Sequence, residues 1–205
     1  MNLNEFKEEL ASTVSPGERM KFVRKHFFHG LPYVFKGREN DYYEFRQKVA
    51  DHFGIDFYEV FVVGSAKLGF SYIKKKLFSY ESDVDLVLVN EELFEEYYKI
   101  IRDFQYRLDE ASESMDVEEK VSYEKFLRYL VKGWMRPDLL PISSQMKEFK
   151  RNWFDFFSSI SNNKSEVGNY KVTAGLYKTY DYLEKYHSNA IEKHYKQLKI
   201  EANNG

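Results

Sequence analysis

The chain has 205 residues, enough for one large domain or two small ones, and 43% of them are hydrophobic, which excludes a disordered tail. Its 31 basic and 33 acidic residues give a formal net charge of -2, so any contact with nucleic acid must come from a local patch and not from a global positive field. The absence of cysteine excludes a disulfide framework, a thiolate zinc site and a cysteine nucleophile.

No apolar run approaches the roughly 20 residues that a membrane helix needs. The first ten residues, MNLNEFKEEL, are acidic and amphipathic, whereas a secretory signal needs a basic start and an apolar stretch. We therefore expect a cytoplasmic protein with no membrane partner.

The N-terminal quarter of the chain predicts two helices. The run 15–18 (SPGE) has the residues of a capping box with proline at the first helical position, and the following helix should end near Gly30. Asn40 is expected to cap a second helix, which should end at Gly54.

The pattern then changes to strands separated by helices. Aromatic and β-branched residues are concentrated in 57–63 (FYEVFVV) and 83–89 (DVDLVLV), and both runs are apolar on both faces, which is typical of a sheet covered on each side. A third strand is predicted over 170–177 (YKVTAGLY). Apolar residues at helical spacing predict the remaining helices over 91–108, through Tyr123 to Leu130, over 144–160 and over 178–199.

These elements predict an α/β (α+β) fold, in which helices surround a small mixed sheet. The N-terminal helices (1–54), the motif-bearing core (55–177) and the closing helix (178–199) are expected to form a single domain over 1–200, with the outer helices as additions to the core.

The end of the first strand and the start of the second carry the residues with the clearest chemistry. Gly64 allows a sharp turn and a close approach to a ligand, and Ser65 follows at the start of a short helix, where free N–H groups favour phosphate. Asp83 and Asp85 are two residues apart on a strand, so their carboxylates face the same side. Two adjacent carboxylates repel each other unless a cation lies between them, and Mg²⁺ that also binds substrate phosphates fits such ligands.

The residues GSAKLGFS followed by SDVDLVLV resemble the polymerase-β-like nucleotidyltransferase superfamily, in which a Gly-Ser turn precedes [Ser/Thr]-Asp-x-Asp on the next strand. The longer motif Gly-Ser-Ala-Lys-Leu-Gly is similar to that of bacterial nucleotidyltransferase-domain proteins, including relatives of cyclic-oligonucleotide synthases. The match covers about 57–90. The resemblance implies that Gly64 and Ser65 hold the terminal phosphates, and that Asp83 and Asp85 bind Mg²⁺ (or Mn²⁺) and act in catalysis.

Two neighbouring residues, Lys67 and Ser82, complete the expected nucleotide site. Lys67 lies on the first turn of the short helix, where it either reaches phosphate or faces water. The segment between the two motifs, which is longer than in compact members of the family, holds Lys74, Lys75 and Lys76. These lysines form either a solvated loop or a patch that steers a triphosphate or RNA.

Active members of the family generally take a third acid from a later strand, and the predicted third strand contains no Asp or Glu. Asp138, in the sequence RPDLLP, is the alternative source. It is expected either to complete the catalytic carboxylates from an extended segment or to serve as a turn or capping acid.

Three functions are therefore open. The resemblance implies an enzyme that moves a nucleoside monophosphate from ATP or another nucleoside triphosphate to an RNA end, a protein hydroxyl or a nucleotide. The missing third acid suggests instead a catalytically impaired module that binds nucleotide or RNA, in a bacterial defence or toxin–antitoxin setting. A helical protein that binds a partner through its aromatic faces is the third hypothesis.

Overall fold

The computed structural model describes residues 1–203, which form a mixed α+β fold. The α-helices in this range are α1 (Leu3–Ser12), α2 (Pro16–Val23), α3 (Glu39–Phe53), α4 (Gly64–Leu68), α5 (Glu91–Asp109), α6 (Val117–Leu130), α7 (Ser144–Ser159) and α8 (Tyr180–Asn203). The strands are β1 (Val60–Val63), β2 (Phe70–Ser71), β3 (Lys76–Leu77), β4 (Val84–Val89), β5 (Trp134–Met135) and β6 (Val172–Tyr177). A π-helical turn covers Arg24–Phe28, and 3-10 turns cover Tyr33–Phe35, Phe57–Glu59 and Pro137–Leu139.

The main sheet has the strand order β1-β4-β6-β5, and β2 and β3 form a separate hairpin. Strand β4 lies at the centre, antiparallel to β1 and parallel to β6, and the short β5 pairs antiparallel with β6 at the edge. The mixed sheet and the three predicted strands are thereby confirmed. The first strand is shorter than predicted, because Phe57–Glu59 forms a 3-10 turn whose capping box joins Asp56 and Glu59.

Both faces of the sheet are covered, as the apolar pattern of the two strands predicted. Alternate residues of one face, among them Val62, Leu86 and Leu176, belong to the largest core, which also takes side chains from α3, α5, α6 and α7. On the opposite face, Val87 and Tyr177 pack with Leu183 from α8. Asp85 lies on this second face, since it alternates with Leu86 and Val84 along β4.

The N-terminal helices pack against the closing helix through a second apolar cluster. Phe6 from α1, Phe22 from α2 and Ile191 from α8 are almost fully buried there. The β2–β3 hairpin is anchored in the same cluster through Phe70 and Tyr72, whose ring stacks on Phe6 with 5.4 Å between the centroids. The hairpin is therefore fixed at its base, while its tip extends into solvent.

Within residues 1–203, none of the helices combines the length and the apolar character that crossing a bilayer requires.

Candidate functional site

Gly64, the first residue of α4, lies beside Asp85, since it directly follows Val63 on β1, which is the register partner of Asp85 on β4. The backbone of Gly64 has φ +65°, in the left-handed region that favours glycine. A methyl group added there would lie 3.1 Å from Oδ2 of Asp85, so a side chain would crowd the carboxylate as well as strain the backbone. The structure therefore places the turn beside Asp85, the second residue of the acidic pair.

The two carboxylates lie at the start of β4. Asp83 and Asp85 are both exposed to solvent, and the carboxylate of Asp83 makes no hydrogen bond or ion pair with any residue in the range 1–203. Ser65 is half-buried on α4, and its hydroxyl likewise has no hydrogen-bond partner within that range. The Ser65 hydroxyl on the turn and the Asp83 carboxylate beside the strand are therefore both available to a ligand.

Thr173 on β6 occupies the register position directly beside Asp85. Its hydroxyl Oγ1 donates a hydrogen bond of 2.8 Å to Oδ1 of Asp85. Thr173 is not among the site residues predicted from the sequence, because the third residue of the site was expected to be acidic and threonine is neutral. The pairing of β4 with β6 is what identifies this threonine, and its position is where a carboxylate from the third strand would meet the pair.

Five influences act on the pKa of the Asp85 carboxyl. Partial burial raises its pKa, the hydrogen bond from Thr173 lowers it, and the negative charge of Asp83 raises it again. The positive charges of Lys74 and Arg136 oppose the rise. The net result is a pKa above the ordinary value.

Asp138 forms an ion pair with Arg136. It lies in the 3-10 turn that follows β5, where Nε and Nη2 of Arg136 donate to its two oxygens at 3.2 and 2.6 Å. No cluster of three or more His, Cys, Asp or Glu side chains that could hold a metal ion occurs in residues 1–203. The structure therefore brings together Gly64, Asp83 and Asp85, and does not gather Asp138 into the same group.

The side chains of Lys67 and Ser82 both form hydrogen bonds within the protein. The ammonium of Lys67 is buried and donates two hydrogen bonds of 2.6 Å, to the carbonyl oxygens of His29 and Gly30. Burial, and then the positive charge of Arg46, lower its pKa to about 8. The hydroxyl of Ser82 accepts a hydrogen bond from the amide of Ser79, which closes the turn before β4.

Substitution of Lys67 by methionine is expected to reduce the free energy of unfolding by about 1–2 kcal/mol, because two charge-assisted hydrogen bonds are lost. Urea denaturation measures this change, and Lys125→Met, at an exposed position on α6, is the control. A Lys67→Met variant as stable as the control, but with weakened nucleotide binding, would contradict this structural role and indicate a direct phosphate contact.

Comparison of the chain with models of known protein families, with curated proteins and with solved structures gave no match in any of the three. The assignment of function therefore depends on the geometry of the site.

Proposed function

We propose that the chain is a Mg²⁺-dependent nucleotidyltransferase, which moves a nucleoside monophosphate from a nucleoside triphosphate to an acceptor hydroxyl or phosphate. The observation that carries this proposal is the contact of the Gly64 turn with Asp85, on a strand that also presents the unpartnered Asp83. The proposal places the triphosphate at this turn, where a metal held by the two carboxylates would bind its phosphates.

The donor set fits magnesium. Mg²⁺ usually retains several waters and binds through one or two carboxylates together with substrate phosphates. Asp83 and Asp85 would supply the two carboxylates. When bound, the ion would polarise the α-phosphate and neutralise the charge that develops on pyrophosphate.

The residues of the chain have separate roles in this proposal. Gly64 allows its backbone to approach the Asp85 carboxylate closely because it has no side chain, and the Ser65 hydroxyl, which has no partner in residues 1–203, would donate to the phosphates. Thr173 holds Asp85 in one orientation through its hydrogen bond. In the transfer, the acceptor oxygen forms a bond to the α-phosphorus, the bond to the bridging oxygen of pyrophosphate breaks, and the acceptor proton passes to solvent.

A second function, nucleotide binding without transfer, is favoured by one specific observation. The residue beside Asp85 on β6 is Thr173, which has no negative charge. A site with two carboxylates holds one metal–nucleotide complex, whereas a two-metal site needs more anionic ligands. Such a module would serve as a nucleotide-dependent regulator, for example in a bacterial defence system.

Incubation of the protein with labelled nucleoside triphosphates and a panel of acceptors distinguishes the two functions. The proposal predicts Mg²⁺-dependent release of pyrophosphate and labelling of at least one acceptor. Thermal stabilisation by nucleotide without labelling would favour the binding module, and the absence of stabilisation by any nucleotide would contradict both.

A further inference from the structure

The β2–β3 hairpin and the residues that follow it form an exposed surface beside the candidate site. We call it the lysine–tyrosine surface, and define it by Lys74, Lys76, Tyr80, Tyr170 and Lys171. The two hairpin lysines and Lys171 are exposed, and Tyr80 is 79% exposed. So large an exposed fraction on an aromatic side chain leaves most of its ring available to a ligand.

The aromatic residues of this surface are stacked. The rings of Phe78 and Tyr170 lie 4.9 Å apart, and Tyr170 in turn stacks on Tyr80 at 5.7 Å with only 11° between the ring planes. The resulting column begins in a half-buried phenylalanine and ends in an exposed tyrosine. A flat ring that ends such a column is a platform on which an unpaired base can stack.

The basic residues of the surface are available for a ligand. Lys75 lies 4.0 Å from Glu201, whereas Lys74 and Lys76 form no ion pair with any other residue of the range 1–203. With Lys171, these are three exposed lysines without an ion pair in residues 1–203, on the segments that flank the stacked tyrosines. A local concentration of this kind fits a polyanion that runs along the surface.

The surface lies at the same end of the sheet as the two carboxylates. Tyr80 precedes Asp83 by three residues, and the carbonyl of Lys171 accepts a hydrogen bond of 2.8 Å from the amide of Val84. The charge of Lys74 reaches far enough to affect the pKa of Asp85. A strand bound on this surface would therefore bring its end towards the acidic pair.

We infer that the lysine–tyrosine surface binds single-stranded RNA, and that the terminal hydroxyl of this RNA is the acceptor of the proposed transfer. This inference rests on the proposed function and specifies its substrate. Stacked tyrosines with adjacent lysines fit bases and phosphates, whereas a protein acceptor would favour an apolar groove. RNA is preferred to DNA because the tyrosine hydroxyls can bond to the 2′-hydroxyl, which DNA lacks.

Fluorescence anisotropy with an end-labelled, unstructured 12-nucleotide RNA tests the inference on the full chain, without nucleotide or Mg²⁺. We expect Lys74→Ala combined with Lys76→Ala to weaken binding about tenfold, and to reduce the slope of log affinity against log salt by about 1.4, since each lost phosphate contact contributes about 0.7. Lys120→Ala combined with Lys125→Ala, which removes two exposed lysines from α6, is the matched control and should leave both quantities unchanged.

Tyr80→Ala should weaken binding about tenfold and leave the salt slope unchanged, because it removes stacking and no charge. Tyr80→Phe should restore most of the affinity, since it retains the ring and loses only the hydroxyl. Tyr58→Ala is the control, because Tyr58 is 78% exposed and lies elsewhere. If Tyr80→Phe binds as weakly as Tyr80→Ala, or if Tyr58→Ala weakens binding equally, stacking on Tyr80 is excluded.

Several outcomes would overturn the inference. These are failure of the unmodified protein to bind the RNA, equal or tighter binding of the DNA of the same sequence, and equal losses in the control variants. Because this assay contains no nucleotide, its failure is distinguishable from failure of the proposed function, which shows as the absence of nucleotide-dependent thermal stabilisation. Transfer to a protein or a small molecule without RNA binding would leave the proposed function intact and exclude RNA as the acceptor.

Discussion

Replacement of both Asp83 and Asp85 by alanine is expected to abolish Mg²⁺-dependent nucleotide transfer while the fold is retained. Loss of both carboxylates removes the charged ligands of the metal. Because a bound metal stabilises the transition state by several kcal/mol, the rate should fall at least about 10³-fold. The fold should survive because both side chains are exposed. The double substitution removes the hydrogen bond between Thr173 and Asp85, which is a small loss for the whole fold.

The same variant should be as stable as the unmodified protein at neutral pH, or more stable. Burial and the neighbouring Asp83 raise the pKa of Asp85, so ionisation of this carboxyl is less favourable in the folded chain than in the unfolded chain. Removing the carboxyl should then raise the melting temperature at pH 7.5, by at most about 2–4 °C because the group is solvent-exposed. The advantage should disappear as the pH falls below the ordinary carboxyl range, where Asp85 is protonated in both states.

Glu96→Ala combined with Glu124→Ala is the control for this pair, since it removes two exposed acids from α5 and α6. It should leave transfer unchanged. Transfer measured with a labelled nucleoside triphosphate, together with melting curves, decides the result. Persistence of transfer in the Asp83→Ala and Asp85→Ala variant would show that the chemistry occurs elsewhere.

Replacement of Thr173 by aspartate is expected to produce the largest gain of function. Thr173 is the register partner of Asp85 and already bonds to its carboxylate, so an aspartate there would place a third negative charge beside the pair. In the absence of metal the three like charges should lower the melting temperature by about 2–8 °C, which corresponds to roughly 1–2 kcal/mol. Millimolar Mg²⁺ should reverse this loss, because the metal binds the folded state alone.

We expect the Thr173→Asp variant to transfer nucleotide at least about tenfold faster, since a stronger metal site is added to an existing one. Thr173→Asn, which has nearly the same shape without the charge, is the control and should show neither the Mg²⁺-dependent rise in melting temperature nor the faster transfer. Equal responses of the aspartate and asparagine variants to Mg²⁺ would show that this position does not face a metal.

The strands and the proximity of the two motifs could be predicted from the sequence. Short runs of β-branched and aromatic residues identify β1, β4 and β6. The resemblance implies that Gly64 lies near the acidic doublet, and the antiparallel pairing of β1 with β4 in the structure places it beside Asp85. The β2–β3 hairpin could not be predicted, because Lys76 and Leu77 are exposed and have no alternating apolar pattern. Its stability comes from distant contacts, such as that of Tyr72 with Phe6.

The partners of individual polar side chains were also beyond prediction. Lys67 follows Gly64-Ser65, where the sequence leaves open a contact with phosphate or with water, but its partners His29 and Gly30 lie 38 and 37 residues away. Asp138 likewise forms its ion pair with Arg136, through the bend that Pro137 imposes after β5. Thr173 has significance only once β6 is known to lie parallel to β4. Long-range contacts decide the roles of Lys67 and Thr173, whereas the ion pair of Asp138 is local.

A crystal structure of the protein with Mn²⁺ and a non-hydrolysable nucleoside triphosphate analogue would test most directly whether the Gly64 turn and the acidic pair hold one metal–nucleotide complex. The anomalous signal of manganese should lie between the carboxylates of Asp83 and Asp85, with the terminal phosphates against Gly64 and Ser65. Manganese bound at another site, or phosphates held away from this turn, would contradict the account.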